Sequence, residues 1–330
     1  MKPTTYIPIF LLAIAFLAGC SEDDENARIN SDNQESVTFL GDYTIVFANQ
    51  AQAQSLLKTS DEYTQQLGPF DLRSKTMDPT ADAEADYLAH AAEQARDWTD
   101  AEISTLRTII SSAEARIEAL GLSLVLPSEI VLISSTLREE GGAAGYTRQN
   151  YIVLDRQYLS EYLFLHELFH VYSRANPEQR DALYATIGFQ KTNEIELPAP
   201  LDSLKISNPD APVHDHVIEV TIDGVLQEAI FLLYSGRSYE QGTFFDYLNK
   251  RLLLVEGATG NHRAMMRDGQ PVLRRYDEAT DLRDKIGRNT DYDIDPEEVM
   301  ADHFTLLVLG TEVPEPEYLE QAKAILQQEP

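Results

Sequence analysis

The chain has 330 residues, with 55 acidic against 26 basic side chains and a formal net charge of -29. This length suits one large domain or two small ones, and a hydrophobic fraction of 43% excludes wholesale disorder. The acidic balance argues against nucleic acid as a partner, because phosphate backbones are bound by clustered Lys and Arg. The single Cys excludes a disulfide within one chain and any multi-Cys metal cluster.

The N-terminal segment combines a basic residue, an apolar run and the only Cys. Lys2 precedes residues 7–18, which are almost purely apolar but too few to cross a bilayer core of roughly 30 Å. Residues 17–20 read Leu-Ala-Gly-Cys, which resembles the lipobox of bacterial lipoproteins. The resemblance implies a signal peptide at 1–19 and lipidation of Cys20, which anchors the chain to a membrane. A coincidental Cys after an ordinary signal peptide or a short anchor helix is the alternative.

The residues after Cys20 predict where the anchor places the chain. Ser21 is not Asp, and by resemblance to lipoprotein sorting this favours the bacterial outer membrane, with the periplasmic and surface faces both open. Residues 20–36 are polar and acidic, so we expect a flexible tether. The folded domain is expected over 37–330.

Up to residue 187 the sequence predicts a mixture of helices and strands. Thr99 and Glu102 have the spacing of a capping box, and they open an amphipathic helix that Gly121 is placed to end. The other expected elements are a strand within 37–47, a helix within 78–98, strands at 122–126, 130–134 and 151–154, and helices at 160–174 and 177–187.

Between residues 194 and 276 the pattern changes to strands. Residues 217–222 alternate in polarity, Asp223 and Gly224 are typical of a hairpin turn, and residues 228–234 supply the partner strand. We therefore expect a β-rich insertion, with a further strand at 251–255. Helices are expected again at 296–309 and 318–328, which makes the fold class α+β.

The pattern His166-Glu167-Leu168-Phe169-His170 carries the chemistry. Positions four apart share one face of a helix, so the two imidazoles can bind one cation while Glu167 holds a water. This H-E-x-x-H pattern resembles the zinc motif of zincin metallopeptidases and implies Zn²⁺ as the cofactor. Uncharged neighbours on both sides favour a buried helix over a surface helix with two chance histidines.

A third ligand is expected from a later helix. Ser173 and Asn176 stand where the metzincin continuation requires Gly and His, so that branch is excluded. The chain instead resembles gluzincins, in which a Glu ligates zinc and an Asp four residues later accepts a hydrogen bond from a ligand His. Glu298 and Asp302 have this spacing, which implies Glu298 as the ligand and Asp302 as the orienting group.

Two alternatives stay open on that helix. Asp295 is a good N-cap and Glu298 then stands where a capping box places Glu, a role that needs no metal. Glu297 is the fallback ligand, although Ala301 four residues later cannot orient a histidine. The long separation from His170 limits the resemblance to the clan, without a closer family.

The resemblance covers residues 99–174 and 291–309, and it implies the fold. We expect a zincin-like core built from a helix, a small mixed sheet, the active-site helix and the Glu-bearing helix, with the β-rich insertion between the last two. In zincins the strand before the active-site helix pairs with extended substrate. The resemblance therefore implies a protein or peptide substrate bound along Thr147 to Leu154.

The implied reaction is zinc-dependent hydrolysis of peptide bonds with Glu167 as general base. A further donor usually stabilises the oxyanion, and Tyr292 is the first candidate. His262, His216 and Arg288 are the others. Two rival functions remain: an inactive zincin-like lipoprotein that acts as a binding or structural module, and a zinc amidohydrolase of a cell-wall substrate.

Overall fold

The computed structural model describes residues 35–328. The expected signal peptide, Cys20 and the tether up to residue 34 lie outside the described residues. Within residues 35–328, no helix is both long and apolar enough to cross a lipid bilayer. The described chain mixes helices and strands, as expected for an α+β protein.

The first half of the described chain forms a mixed six-stranded sheet with helices packed around it. The strand order is β1-β2-β4-β6-β5, with β3 paired to β4, and β2, β4 and β6 run parallel. In chain order the elements are β1 (Ser36–Phe39), β2 (Tyr43–Phe47), α1 (Gln50–Leu57), α2 (Glu62–Gln65), α3 (Pro69–Thr76), α4 (Glu84–Gln94), β3 (Ala95–Arg96), α5 (Asp100–Leu120), β4 (Glu129–Ser135), β5 (Gly145–Arg148) and β6 (Tyr151–Asp155).

Helix α5 begins and ends where the sequence predicts. Thr99 Oγ1 accepts the Glu102 backbone N–H, and Glu102 Oε2 accepts the Thr99 N–H at 2.8 Å. Gly121 adopts the left-handed conformation (φ +65°) that a side chain disfavours, and this ends the helix. The expected strand at 122–126 is wrong: this segment joins neither sheet, and Ser123 instead donates its backbone N–H to the Leu326 carbonyl.

Two buried glutamates follow β4 in a 3₁₀ turn at Arg138–Glu140. Glu140 accepts hydrogen bonds from Tyr63 Oη at 2.6 Å and Tyr87 Oη at 2.8 Å, and it forms an ion pair with buried Lys75. These contacts satisfy a charge that would otherwise be costly to bury. They also fix α2, α3 and α4 against the end of β4.

In the described part of the chain, no basic side chain forms an ion pair with the neighbouring Glu139. Its Oε1 accepts the Ser135 hydroxyl at 2.7 Å, while its Oε2 is buried without a hydrogen bond. Burial raises the pKa of this carboxyl from 4.5 to about 7. Glu139 is therefore a buried acid whose ionisation opposes folding.

A second six-stranded sheet forms the insertion. It begins slightly earlier than expected, and its order is β11-β10-β9-β8-β7 with β14 paired to β10. After α6 (Glu161–Ala175) and α7 (Pro177–Thr186), the elements are β7 (Phe189–Lys191), α8 (Ala199–Asp202), β8 (His216–Ile222), β9 (Val225–Ser235), β10 (Leu248–Glu256), β11 (Arg263–Ala264), β12 (Met266–Arg267), β13 (Gln270–Pro271) and β14 (Leu273–Arg274).

Three helices complete the described chain: α9 (Leu282–Ile286), α10 (Pro296–Leu309) and α11 (Pro316–Leu326). Helix α10 packs directly on α6, so residues distant in sequence meet in the interior. The largest apolar core joins Leu168 of α6 and Phe304 of α10 to Phe231 of the insertion. The insertion therefore shares a core with the first sheet, and α6 and α10 both contribute side chains to that core.

Candidate metal centre

Helices α6 and α10 bring the predicted site residues together in the interior. Ser160 caps α6, where its hydroxyl accepts the Leu163 N–H at 3.2 Å, and residues 164–173 of this helix are all buried. His166, Glu167 and His170 are only 8%, 3% and 1% exposed. The uncharged flanks in the sequence therefore did indicate a buried helix.

Two imidazole nitrogens and one carboxylate oxygen converge. Glu298 Oε2 lies 3.0 Å from His166 Nε2 and 3.6 Å from His170 Nε2. Each of the three residues is buried, and their ligand atoms all lie within 4.8 Å of one another. The three residues that the sequence predicts as ligands thus present their atoms to one point.

The opposite nitrogen of each imidazole is bonded to a different carboxylate. His166 Nδ1 lies 3.0 Å from Asp302 Oδ1, as the gluzincin resemblance implies. His170 Nδ1 lies 2.8 Å from Glu297 Oε1, which the sequence offered only as a fallback ligand. Such contacts fix the tautomer that leaves Nε2 free to bind a metal. Glu297 therefore orients a histidine, and its neighbour Glu298 faces the site.

Both orienting carboxylates are themselves held in place. Asp302 accepts hydrogen bonds from Tyr162 Oη at 2.6 Å and from the Thr290 hydroxyl. Glu297 Oε2 accepts the Ser173 hydroxyl at 2.7 Å and the Tyr184 hydroxyl. The four partners come from α6, from α7 and from the segment before α10, and sequence spacing gave no indication of them.

The insertion also contributes to the centre. Asn208 Nδ2 donates to Glu298 Oε1 at 2.6 Å, so the oxygen of Glu298 that faces away from the histidines is occupied. This bond orients the third predicted ligand in the way that Asp302 and Glu297 orient the two histidines. Asn208 lies in a stretch without helical or strand periodicity, so the sequence carries no signal for its role.

Glu167 lies against strand β5. A Cβ atom built on Gly145 would lie 2.7 Å from Glu167 Oε1, so only glycine allows the strand to approach this closely. Glu167 Oε2 and His170 Nε2 are both buried, and no group within residues 35–328 forms a hydrogen bond with either atom. Buried polar atoms rarely stay unpaired, and these two lie where a cation and its water would satisfy them.

The local charges shift the pKa values of these groups. Burial lowers the pKa of His166, but hydrogen bonds to Asp302 and Glu298 outweigh it and raise the pKa to about 10. Burial, followed by the negative charge of Asp210, raises the pKa of Glu167 to about 8. The histidines therefore bind protons tightly at the same nitrogens that a metal would use, so protons and metal compete.

The donor set fits zinc. Two imidazole nitrogens and a carboxylate are typical ligands of catalytic zinc, and ligands at 2.0–2.2 Å from a tetrahedral ion lie roughly 3.4 Å from each other. The 3.0 and 3.6 Å separations measured from Glu298 Oε2 agree with that spacing.

The segment Thr147 to Leu154, expected to form one substrate-binding strand, is divided between two strands. Thr147 belongs to β5, which lies at the edge of the first sheet, whereas residues 151–154 belong to β6, which is buried between β4 and β5. The chain reverses at Gln149, which has a φ of +49°. The expected range Thr147 to Leu154 is therefore wrong beyond Arg148, because β6 already has neighbours on both sides and cannot pair with another chain.

The candidate oxyanion donors separate into one near residue and three remote ones. Tyr292 lies at the centre, with its ring centroid 6.0 Å from that of His166, and the charge of Glu298 raises the pKa of its phenol. His262 contacts Glu228 and Thr192. His216 contacts Asp181 and Asp215, and Arg288 contacts Asp284 and Glu315. Of the four, only Tyr292 can serve this site.

An open cleft of about 580 Å³ leads to the centre. Its walls carry four aromatic side chains that are between 41% and 54% exposed: Tyr158, Tyr162, Phe245 and Tyr292. The described residues that line it include no Lys or Arg. The cleft therefore offers aromatic surface and negative charge to a ligand.

Comparison of the chain with protein-family models, with curated proteins and with solved structures gave no match. The interpretation of the site consequently depends on its own residues and geometry.

Proposed function

We propose that this protein is a zinc-dependent metallopeptidase of gluzincin type, held at a bacterial membrane through lipidated Cys20. One observation carries the proposal. The Nε2 atoms of His166 and His170 converge on Glu298, while a separate carboxylate holds each Nδ1 atom. Two histidines satisfied by chance in a core would not need Glu298 between them and a buried, unpaired Glu167 beside them.

His166, His170 and Glu298 would hold the zinc ion. When bound, zinc acidifies its water and polarises a substrate carbonyl. Glu167 would take the proton from the attacking water on its unpaired Oε2 and later give it to the leaving amine. Tyr292 would donate its phenolic hydrogen to the developing oxyanion, and its raised pKa keeps that hydrogen in place.

Strand β5 supports a peptide as the substrate. It lies at the edge of the first sheet, beside Glu167. Its register with β6 leaves the N–H and C=O of Gly145 unpaired with β6 and pointing outward from the sheet edge. An extended peptide can pair with such an edge, which would bring one of its bonds next to Glu167. A membrane location is supported by the leader and Cys20 alone, and both membrane faces fit it.

The direct test is peptide cleavage by the purified chain and by Glu167→Gln, followed by mass spectrometry of a mixed peptide library. We expect the variant to keep its zinc and to lose activity by a factor of about 10²–10⁴. Glu118→Gln, an exposed position on α5, is the matched control. Cleavage of wall fragments without any peptide cleavage would favour the amidohydrolase function, and zinc binding without hydrolysis would favour a binding module.

A further inference from the structure

The insertion contributes a short loop at residues 207–210, which we call the cleft loop because its last residue, Asp210, lines the cleft. Its ends are fixed: Ser207 donates its N–H and hydroxyl to buried Asp71 at 2.9 and 2.7 Å, and Asn208 donates to Glu298. Asp210 N–H is bonded to Asn208 Oδ1 at 3.1 Å. The loop is therefore bonded to both α3 and α10, and these bonds hold Asp210 at the wall of the cleft.

The cleft loop covers one end of the edge strand. The bonded pair Asp155 N–H to Ala144 C=O fixes the alternation in the β5–β6 pair, so the backbone groups of Gly145 and Thr147 face outward. Asp210 Oδ1 accepts both the Thr147 N–H and its hydroxyl at 2.7 Å. Asp210 therefore occupies the backbone N–H of Thr147. The outward backbone groups of Gly145, beside Glu167, stay available to pair with a peptide.

This arrangement limits how a peptide can lie on β5. Gly145 and Thr147 are two residues apart, about 7 Å along the strand. A peptide with a bond next to Glu167 can therefore extend by only one or two residues toward Thr147 before it meets Asp210. At that point the peptide must end.

The charge of Asp210 determines which end of the peptide fits. Asp210 Oδ1 is bonded to Thr147, and among residues 35–328 no donor is bonded to its Oδ2. Arg174 bonds to Thr147 Oγ1 and the Gln149 carbonyl and does not line the cleft, whereas a His170 nitrogen and a Glu167 oxygen each lie within 4.8 Å of an Asp210 oxygen. A peptide carboxylate would be repelled at Asp210, whereas an α-ammonium group would gain a charge-assisted hydrogen bond.

We infer that Asp210 binds the free amino terminus of the substrate, so that the enzyme removes one or two residues from the amino end of peptides. This inference depends on the proposed peptidase function and narrows its substrate class. It makes Asp210 a specificity-determining residue, supplied by the insertion.

The test compares one apolar peptide in four forms, with a free or acetylated amino end and a free or amidated carboxyl end. We expect the free-amine forms to be cleaved at least about tenfold better than the acetylated forms, with little effect of the carboxyl end. Mass spectrometry should show release of single residues or dipeptides from the amino end. Equal cleavage of acetylated peptides, or cleavage in the middle of the chain, would overturn the inference and leave the peptidase function standing.

Asp210→Asn isolates the charge, because the amide oxygen can still accept from Thr147. The variant should lose the preference for a free amine through a raised KM, whereas Asp223→Asn at the exposed β8–β9 turn should keep it. An increase in cleavage of acetylated peptides by Asp210→Asn would instead identify the cleft loop as an inhibitory plug.

Binding measured by calorimetry to zinc-loaded Glu167→Gln separates the two proposals. Tighter binding of the free-amine peptide than of its acetylated form supports the amino-end site even if no peptide is hydrolysed. Equal binding of both forms contradicts that site.

Discussion

His170 Nδ1 and Glu297 Oε1 lie 2.8 Å apart in the buried interface between α6 and α10. The pair repeats the contact between His166 and Asp302 on the other side of the centre. Each histidine therefore has its own orienting carboxylate, and the two carboxylates come from one helix. The adjacent glutamates Glu297 and Glu298 thus have different contacts: Glu297 holds the Nδ1 atom of His170, and Glu298 faces the Nε2 atoms of both histidines.

Removing either orienting charge should weaken metal binding without abolishing it. Glu297→Gln and Asp302→Asn keep the shape of the side chain but no longer raise the basicity of the histidine. We expect each to reduce zinc affinity about 10–100-fold, measured by competition with a chromophoric chelator. An unchanged affinity in Glu297→Gln would mean that Glu297 does not orient His170; exposed Glu118→Gln shows the effect of the substitution alone.

Gly145 should be sensitive to a single added methyl group. In Gly145→Ala the new Cβ would lie 2.7 Å from Glu167 Oε1 and 3.1 Å from the Val153 carbonyl oxygen, so the Glu167 side chain or the edge strand has to move. Because a small misplacement of a catalytic group is costly, we expect peptide hydrolysis to fall about 100-fold with zinc content unchanged.

Gly236→Ala is the matched control for that change, since its new Cβ would contact only Asn249 Nδ2 at 3.7 Å. Both variants lose the same backbone freedom in the unfolded chain. Full activity in Gly145→Ala would show that Glu167 and β5 are not held as close as described.

Glu139 should make the protein less stable as the pH rises. Its pKa is about 7 when folded and near 4.5 when unfolded, so between these values the unfolded chain releases a proton that the folded chain retains. The contribution of Glu139 to the free energy of unfolding should therefore be largest below about pH 4.5. It should fall by about 3 kcal/mol as the pH rises to 7.

Glu139→Gln removes this contribution because the amide does not ionise. Urea unfolding at pH 5 and pH 8 should show a smaller loss of stability in the variant than in the natural chain, and Glu129→Gln at the exposed start of β4 should match the natural chain. Identical pH dependence in all three proteins would mean that Glu139 ionises freely in the folded state.

The sequence predicts the parts of the site that depend on helical spacing. Residues four apart share one face of a helix, whatever surrounds that helix. This spacing is enough to pair His166 with His170 and Glu298 with Asp302. Asn208 and Asp210 lie in a stretch without periodicity, so only the folded chain places them against Glu298 and Thr147. The reversal at Gln149 was missed for a similar reason, because neither Gln149 nor Asn150 is the glycine that marks most two-residue turns.

The central claim is that His166, His170 and Glu298 bind zinc, and metal content tests it most directly. Elemental analysis of the purified chain after dialysis should give about one zinc ion per chain, retained in Glu167→Ala and lost in Glu298→Ala. Circular dichroism of the variants would show that they are folded. A folded natural chain that takes up no stoichiometric zinc, even when zinc is supplied, would contradict the account.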